Sequence, residues 1–426
     1  MTTPNLDANQ LKTRIEAVEA AHSALCSREV NLDFTRGKPA ISQLQLAAAL
    51  DGVLDGDYLT ADGTDTRGYG GLDGIPEARQ LGAELLGVSA ENVIAQGNSS
   101  LTLMYLYIMH ACHYGPGGQA PAWHAGALQA KFLCPCPGYD RHFEICEDFS
   151  LAMIPVPMTG EGPDMDRVEA LIREDADIRG MWCVPKYSNP TAETYSDETV
   201  TRIAQLARKA APGFRVLWDN AYCVHDFYDH QPLANVFELA QGFGTEDSIV
   251  MFASTSKISF AGAGVAFMAG SKATLDGFRK RLGVMSIGPD KVNQLRHVRL
   301  FKDRAGIQAH MQQHADLMRP KFEIVRQQLE AGLGNQGMGR WTDPKGGYFV
   351  SFDTLPGLAS EVVQLAAEAG LKLLPAGATF PYRHDPHNSN IRLAPSYLSE
   401  PDLEQAMEIF VTCVKLASLR HAQSAA

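Results

Sequence analysis

Ile249-Val250-Met251-Phe252-Ala253-Ser254-Thr255-Ser256-Lys257 is a short apolar run that ends in three hydroxyl residues and a lysine. A lysine at the end of a buried strand is poorly solvated. Its neutral amine is therefore accessible and can form a Schiff base with an aldehyde. Upstream, Val216-Leu217-Trp218 ends in Asp219-Asn220-Ala221-Tyr222, and Ser188-Asn189-Pro190-Thr191 has the composition of a turn. Alone, each fragment has a bland explanation: a surface lysine, a strand-ending aspartate, an ordinary Asn-Pro turn. Two apolar runs ending in reactive groups, with the turn before them, point instead to one built site.

Working outward, short apolar runs alternate with helical patterns from Val93 to Ala269. Strands are expected near Val93-Ala95, Lys131-Cys134, Ala152-Val156, Gly180-Val184, Val216-Asp219, Ile249-Ala253 and Val265-Ala269. Such alternation gives an α/β fold with a doubly wound, mostly parallel sheet of seven strands. Ligands of such sheets collect at the carboxyl ends of strands, and Asn98, Asn189, Asp219 and Lys257 all fall at or just after predicted strand ends. A helical pattern from about Lys291 to Met318 is expected to stop near Arg319-Pro320, because proline lacks the backbone donor and disfavours helix in the residue before it. Beyond it, Gly347-Phe352, Ala359-Ala369, Leu371-Leu374, Asn390-Ala394 and Glu400-Leu419 suggest a smaller α+β domain, on which a helix from about Asn9 to Cys26 is expected to pack. The expected division is 1–50 for the N-terminal helix and segment, 51–295 for the large domain, and 296–426 for the connecting helix and small domain.

A chain of 426 residues accommodates two domains. Hydrophobic residues make up 45% and charged residues 20%, the balance of a soluble globular protein, and no apolar run approaches the roughly 20 residues that span a bilayer. Met1-Thr2-Thr3-Pro4-Asn5-Leu6-Asp7 lacks the basic and apolar stretches of a secretory signal, so a cytoplasmic location is expected. A net charge of −12 without a clustered basic face argues against nucleic acid as partner. Eight cysteines, without paired CxxC spacing, read as free thiols rather than as a disulfide scaffold or a metal site. The Asn98-Ser99-Ser100 sequon carries no weight without a secretory route.

From about Arg36-Gly37-Lys38-Pro39 to the C-terminal helix, the ordered fragments resemble the fold type I pyridoxal-phosphate-dependent aminotransferases, most closely a bacterial aspartate aminotransferase subgroup. The resemblance implies pyridoxal 5'-phosphate as cofactor, amino acids and 2-oxo acids as substrates, and a homodimer. It assigns Lys257 as the Schiff-base nucleophile and proton-moving base. Asp219 would pair with the pyridinium nitrogen, and Tyr222 and Asn189 would reach the phenolic oxygen. Gly97-Asn98-Ser99-Ser100 precedes an expected helix from Leu101 to His113, so free amides and hydroxyls there form an anion site for the phosphate, joined by Ser254 and Ser256; capping of the following turns explains the same hydroxyls.

In Pro137-Gly138-Tyr139-Asp140-Arg141-His142, the resemblance suggests Tyr139 for stacking on the cofactor and His142 for supporting Asp219. Gly37, Asn189 and Arg392 fall to the substrate, the arginine fork gripping the α-carboxylate in a way lysine cannot copy. Tyr69, in the glycine-rich Arg67-Gly74 segment, corresponds to the tyrosine that reaches the neighbouring subunit's phosphate. Two features depart from the pattern. Ala263-Gly264-Val265-Ala266-Phe267 holds no phosphate-clamping arginine, and Arg36, Lys38, Arg141 and Lys291 all remain candidates for reading a distal carboxylate. Transfer from an aromatic amino acid or alanine, and lyase chemistry with the same lysine, stay open; a cofactor-sensing regulator is disfavoured because no basic DNA-binding module is present.

Overall fold

The seven apolar runs between Val93 and Gly270 assemble into one sheet in the computed structural model, which describes residues 7–117, 120–125 and 129–425. Met1–Leu6, most of the stretch tested above for a signal, lie outside the described residues. The strands are β1 (Val93–Ala95), β2 (Lys131–Cys136), β3 (Ala152–Pro157), β4 (Ile178–Cys183), β5 (Arg215–Asp219), β6 (Ile249–Ser254) and β7 (Ala266–Gly270), in the spatial order β1-β7-β6-β5-β4-β2-β3. Only β7 runs antiparallel to its neighbours; the remaining pairs are parallel.

Both faces of this sheet are buried, which is why its strands read as unbroken apolar runs. Period-two alternation divides the side chains between two cores: Val216, Trp218, Ile249, Met251 and Ala253 enter one, and Leu217, Val250 and Phe252 the other. The parallel register Asp219↔Phe252 brings the carboxyl ends of β5 and β6 side by side. Asp219 and the turn after Ser254 therefore meet at one sheet edge.

A third core joins the chain's two extremities. Leu11, Ile15, Leu25 and Phe34 pack with Val325, Phe352, Ile391, Leu403, Phe410 and Val414. It encloses an antiparallel three-stranded sheet of β8 (Gly339–Trp341), β9 (Val350–Thr354) and β10 (Asn390–Leu393), in the order β10-β9-β8. The long helix Arg304–Leu333 crosses between cores: Ile307 and Met311 belong to the large sheet's packing, and Met318, Phe322 and Leu329 to this one.

That helix corrects the expectation of a stop at Pro320. The break falls earlier, at Lys302, whose φ is 64°, followed by Asp303, which caps the next helix by accepting from the Gly306 amide at 2.9 Å. Pro320 lies inside the second helix. Its ring removes one i→i−4 bond at a cost of about 3 kcal/mol or more. Burial of Met318, Phe322, Val325 and Leu329 on the same stretch, with Lys321 Nζ donating to the Ser396 carbonyl at 2.7 Å, outweighs that local penalty. Among the described residues no helix is long and apolar enough to cross a membrane.

Candidate active site

Beside the carboxyl ends of β5 and β6 lies a cavity of about 470 Å³, bounded by Lys257, Tyr222, Tyr139 and Asn189 on the sheet side and by Arg392, Phe349 and Gly37 from the third core. Gly37 is required by close approach: a Cβ there would lie 2.5 Å from Phe349 Cζ.

Asp219 closes β5 and is 3% exposed. Its Oδ2 takes His142 Nε2 at 3.1 Å, and His142 is itself stacked on Trp182, with ring centroids 4.1 Å apart and planes 5° from parallel. Tyr139 meets the edge of His142 at 4.9 Å. Asp219 Oδ1, by contrast, is buried and has no partner among the described residues. A buried carboxylate oxygen left in this way is costly unless a donor completes it.

Lys257 sits in the turn after β6, with Nζ 4.9 Å from the Tyr222 ring centroid. Burial, aided by repulsion from Arg392, pushes its pKa down, while Asp219 pulls the other way. Burial also raises the Tyr222 phenol well above its usual range, so it stands as a neutral O–H donor.

Arg392, on β10 and 4% exposed, is almost fully engaged. Nη1 donates to Asn189 Oδ1 and to Asp140 Oδ1, both at 3.1 Å, and Nη2 to the Thr35 carbonyl at 3.0 Å. The guanidinium lies 4.6 Å over the Phe349 ring, and Nε has no partner among the described residues. Sequence reasoning missed Asp140, Thr35, Phe349 and Trp182. Asp140 was quoted beside Tyr139, but nothing local signals that it faces an arginine 252 residues away.

Outside the cavity lining, on the turn that carries Lys257, Ser256 Oγ donates to the Asn98 carbonyl at 2.8 Å and Ser254 Oγ to Ser256 Oγ at 3.2 Å, while Asn98 Nδ2 is spent on the Gly262 carbonyl at 2.9 Å. Ser99 precedes the helix Ser100–Tyr114 without making a side-chain cap bond, so its hydroxyl and the first-turn amides remain uncommitted. The segment lacking the expected arginine is tightly built. A Cβ on Gly264 would lie 3.1 Å from Ser256 N, the Val265 amide donates to Thr255 Oγ1 at 2.8 Å, and Asn293 Nδ2 bridges the carbonyls of Ala263 and Gly264 at 2.9 and 3.0 Å. Tyr69 lies apart from the cavity, 91% exposed. Of the distal-carboxylate candidates, Arg36, Lys38 and Arg141 line the cavity, whereas Lys291 turns to the Tyr69 carbonyl at 3.2 Å.

A family model described as aspartate amino-transferase matches residues 6–425. The chain belongs to that family. It is 44% identical over 421 residues to an aspartate aminotransferase of Corynebacterium glutamicum, covering 98% of this chain and 96% of that relative. It is 45% identical over 424 residues to an aminotransferase of Mycolicibacterium smegmatis, covering 98% of each. The solved structure of an aspartate transaminase from Corynebacterium glutamicum superimposes with a TM-score of 0.94 over 98% of both chains at 44% identity. An α-aminoadipate aminotransferase of Thermus thermophilus, complexed with N-(5'-phosphopyridoxyl)-L-leucine, shares the fold at a TM-score of 0.75 and 21% identity over 96% of this chain and 98% of that one. The chain is therefore an aminotransferase with a fold type I architecture.

The family implies pyridoxal phosphate, and the donor set fits it. Asp219 Oδ1 is a buried acceptor waiting for one cationic N–H, and the free hydroxyl and amides at Ser99-Ser100 stand ready for an anion.

Proposed function

We propose that this aminotransferase exchanges the amino group between L-aspartate or L-glutamate and a 2-oxo acid such as 2-oxoglutarate, in two half-reactions that share one site. The observation that carries the reading is a buried Lys257 lining one cavity with Arg392, with the half-satisfied carboxylate of Asp219 behind that cavity and close enough to act on the lysine's charge. The aspartate activity named for the relative at 44% identity supports the substrate choice.

Pyridoxal phosphate, when bound, supplies an electron sink and carries the amino group between half-reactions. Asp219 Oδ1 would hold its ring nitrogen protonated, with His142 fixing the carboxylate's orientation. Tyr139 would cover the ring, and Asn189 and Tyr222 would donate to its phenolic oxygen. Ser99, Ser100, Ser254 and Ser256, with the Asn98 backbone, would surround the phosphate. Lys257 Nζ would supply the amine that holds the cofactor and then the base that takes the proton from the substrate Cα, a task suited to an amine whose pKa burial has lowered. Arg392 would take the α-carboxylate against Asn189 and beside Gly37. The positive side chains Arg36, Lys38, Arg141 and Arg383 on the same cavity suit a second carboxylate; Arg141 is bound to Glu144 at 2.5 Å.

We assign 51–295 to a large domain and 296–426 to a small one with 1–50 packed on it; Leu11, Ile15, Leu25 and Phe34 in the third core support the packing of the N-terminal segment, while Phe301, Ile307 and Met311 still belong to the large sheet's core. We assign Tyr69 to the site of a second copy in a homodimer. Its exposure, and that of Leu59, Val284, Met285 and Ile287, supports an interface.

The deciding experiment is a screen of amino donors against 2-oxoglutarate and oxaloacetate. Aspartate and glutamate should be the best donors. Turnover confined to aromatic donors or alanine would reassign the substrate, and release of pyruvate or ammonia without an acceptor would identify a lyase.

A further inference from the structure

Behind the lysine-bearing turn lies a cluster of neutral histidines that the reaction above does not use. The Ile258 carbonyl accepts from His310 Nε2 at 2.7 Å and from His314 Nε2 at 3.0 Å. Both imidazoles are buried, one helical turn apart on Arg304–Leu333. Burial holds His314 down at about 4, reinforced by His310, and lowers His310 as well, so neither ring carries charge beside Lys257 at neutral pH.

The tautomers follow from the partners. Gln43 Oε1 accepts from the Ala40 amide at 3.0 Å, which leaves its Nε2 to face outward. Nε2 has two protons, one for Tyr348 Oη at 2.9 Å and one for His314 Nδ1 at 3.3 Å. His314 Nδ1 is then an acceptor and its proton must sit on Nε2, where the Ile258 carbonyl takes it. The 3.1 Å approach of the two Nε2 atoms is a contact between two donors sharing one acceptor. Gln43 is 1% exposed and lies seven residues downstream of Arg36, on the segment that lines the cavity through Arg36, Gly37 and Lys38 and supplies the Thr35 carbonyl to Arg392.

We propose that His310 and His314 are positioning residues for Lys257, and that Gln43 couples their tautomeric state to the seating of the 35–43 segment against the substrate pocket. With the segment seated, Gln43 donates to Nδ1 and the Ile258 carbonyl is held by two imidazoles. Without that donor, His314 is free to move its proton to Nδ1, and the carbonyl next to the lysine keeps one. The substrate-gripping wall and the reactive amine, which come from distant parts of the chain, are thereby linked through three side chains.

This inference rests on Lys257 being the cofactor-binding lysine, which Lys257→Ala tests on its own: a variant that still forms a borohydride-reducible bond to pyridoxal phosphate sinks that reading. The linkage is tested on the full-length protein in three ways. Nitrogen-15 spectra of the cofactor-free wild type should show an unprotonated, hydrogen-bonded Nδ1 and a protonated Nε2 for His314. Gln43→Met should shift that pattern toward a mixture of tautomers. Stopped-flow mixing with pyridoxal phosphate should show lysine attachment slowed by about threefold to tenfold in His314→Phe, the range of one to two lost hydrogen bonds, with kcat falling in parallel and KM steady. His314→Gln, which keeps a donor for the Ile258 carbonyl, should recover most of the loss.

If His314→Phe does not fold, the spectra and Gln43→Met decide alone. A protonated Nδ1 in the wild type, unchanged attachment kinetics in the folded variants, or equal losses in the Phe and Gln variants that follow melting temperature would overturn the proposal.

Discussion

The two halves of the candidate active site are finished to different degrees. The sheet-side half ends on a gap: Asp219 is clamped through Oδ2 by His142, and its Oδ1 is left bare. The wall contributed by β10 ends on a surplus. Arg392 already has a carboxylate, an amide oxygen and a carbonyl on its fork. A vacant buried acceptor is suited to a permanent guest, because nothing must be displaced when the guest arrives. A guanidinium preloaded with its own chain's carboxylate is suited to a visitor that comes and goes, since each arrival exchanges one carboxylate for another and the arginine is never left unpaired.

The most severe way to break this contrast is on the sheet side. Asp219→Asn keeps the shape but removes the charge that would hold a ring nitrogen protonated. Turnover at saturating cofactor should fall by about a hundredfold or more, within the range that positioned proton-transfer groups supply. Steady-state kinetics with a cofactor titration checks this, and a variant whose kcat stayed within a few-fold of the parent would remove Asp219 from the mechanism.

On the wall, Arg392→Lys keeps a charge but loses the fork. Truncating one partner of a buried charged pair costs about 2–5 kcal/mol, so KM for both amino and oxo acids should rise steeply while the cofactor stays bound. Loss of cofactor with an untouched KM would transfer Arg392 to the other half of the site.

Asp140→Asn sharpens the contrast with the opposite sign. If Asp140 competes with the substrate carboxylate for Arg392, neutralising it should lower KM by roughly threefold to tenfold, the scale of about 1 kcal/mol, with kcat little changed. A raised KM would mean that Asp140 chiefly orients the fork.

Acidity should tell on the fold behind both halves. Burial holds His225, His297 and His314 at about 3, about 4 and about 4, against 6.5 for a free imidazole. Because the folded values are depressed, the unfolded chain binds more protons once the pH drops below 6.5. The stability these groups confer is therefore complete above 6.5 and drains away toward pH 4. Urea midpoints measured from pH 7 downward should fall through that window, and His314→Gln should shallow the slope; an identical slope would exclude His314 as a contributor.

What was legible in the sequence follows the same division. The sheet could be read because its central strands are buried on both faces and so announce themselves as apolar runs, whereas the edge strand Ala152–Pro157 is only partly buried, and because Asp219 and Lys257 stand where those runs stop. Arg392 was pointed to by the family resemblance, but its own-chain partners were not legible: Asp140, Asn189 and Thr35 reach it from 252, 203 and 357 residues away. The same distance hid the bond between Gln43 and His314, 271 residues apart. Pro320 misled for a related reason. Its local cost is fixed by its ring, while the burial that overrides it comes from elements such as β10 and the C-terminal helix, which the local pattern does not contain.

The smallest expected effect lies outside both halves. The edge proposed to face the phosphate has hydroxyls and amides, and the sequence places no arginine at Gly264, where a Cβ would already crowd Ser256 N at 3.1 Å. Neutral contacts are individually weaker than charge-assisted ones, so each remaining donor should weigh more in cofactor retention. In the homodimer proposed above, Tyr69 would be one of them from a second copy; it is 91% exposed, and its carbonyl accepts from Lys291 Nζ. Tyr69→Phe deletes one neutral hydrogen bond, worth about 0.5–1.5 kcal/mol, and should weaken cofactor affinity by roughly twofold to tenfold. Dilution to monomers should have the same direction of effect and a larger size, because it removes the whole partner. Cofactor titration alongside gel filtration reads both. A monomer that retains its cofactor as tightly as the dimer would show that the phosphate edge, like the Arg392 wall, is completed within one chain.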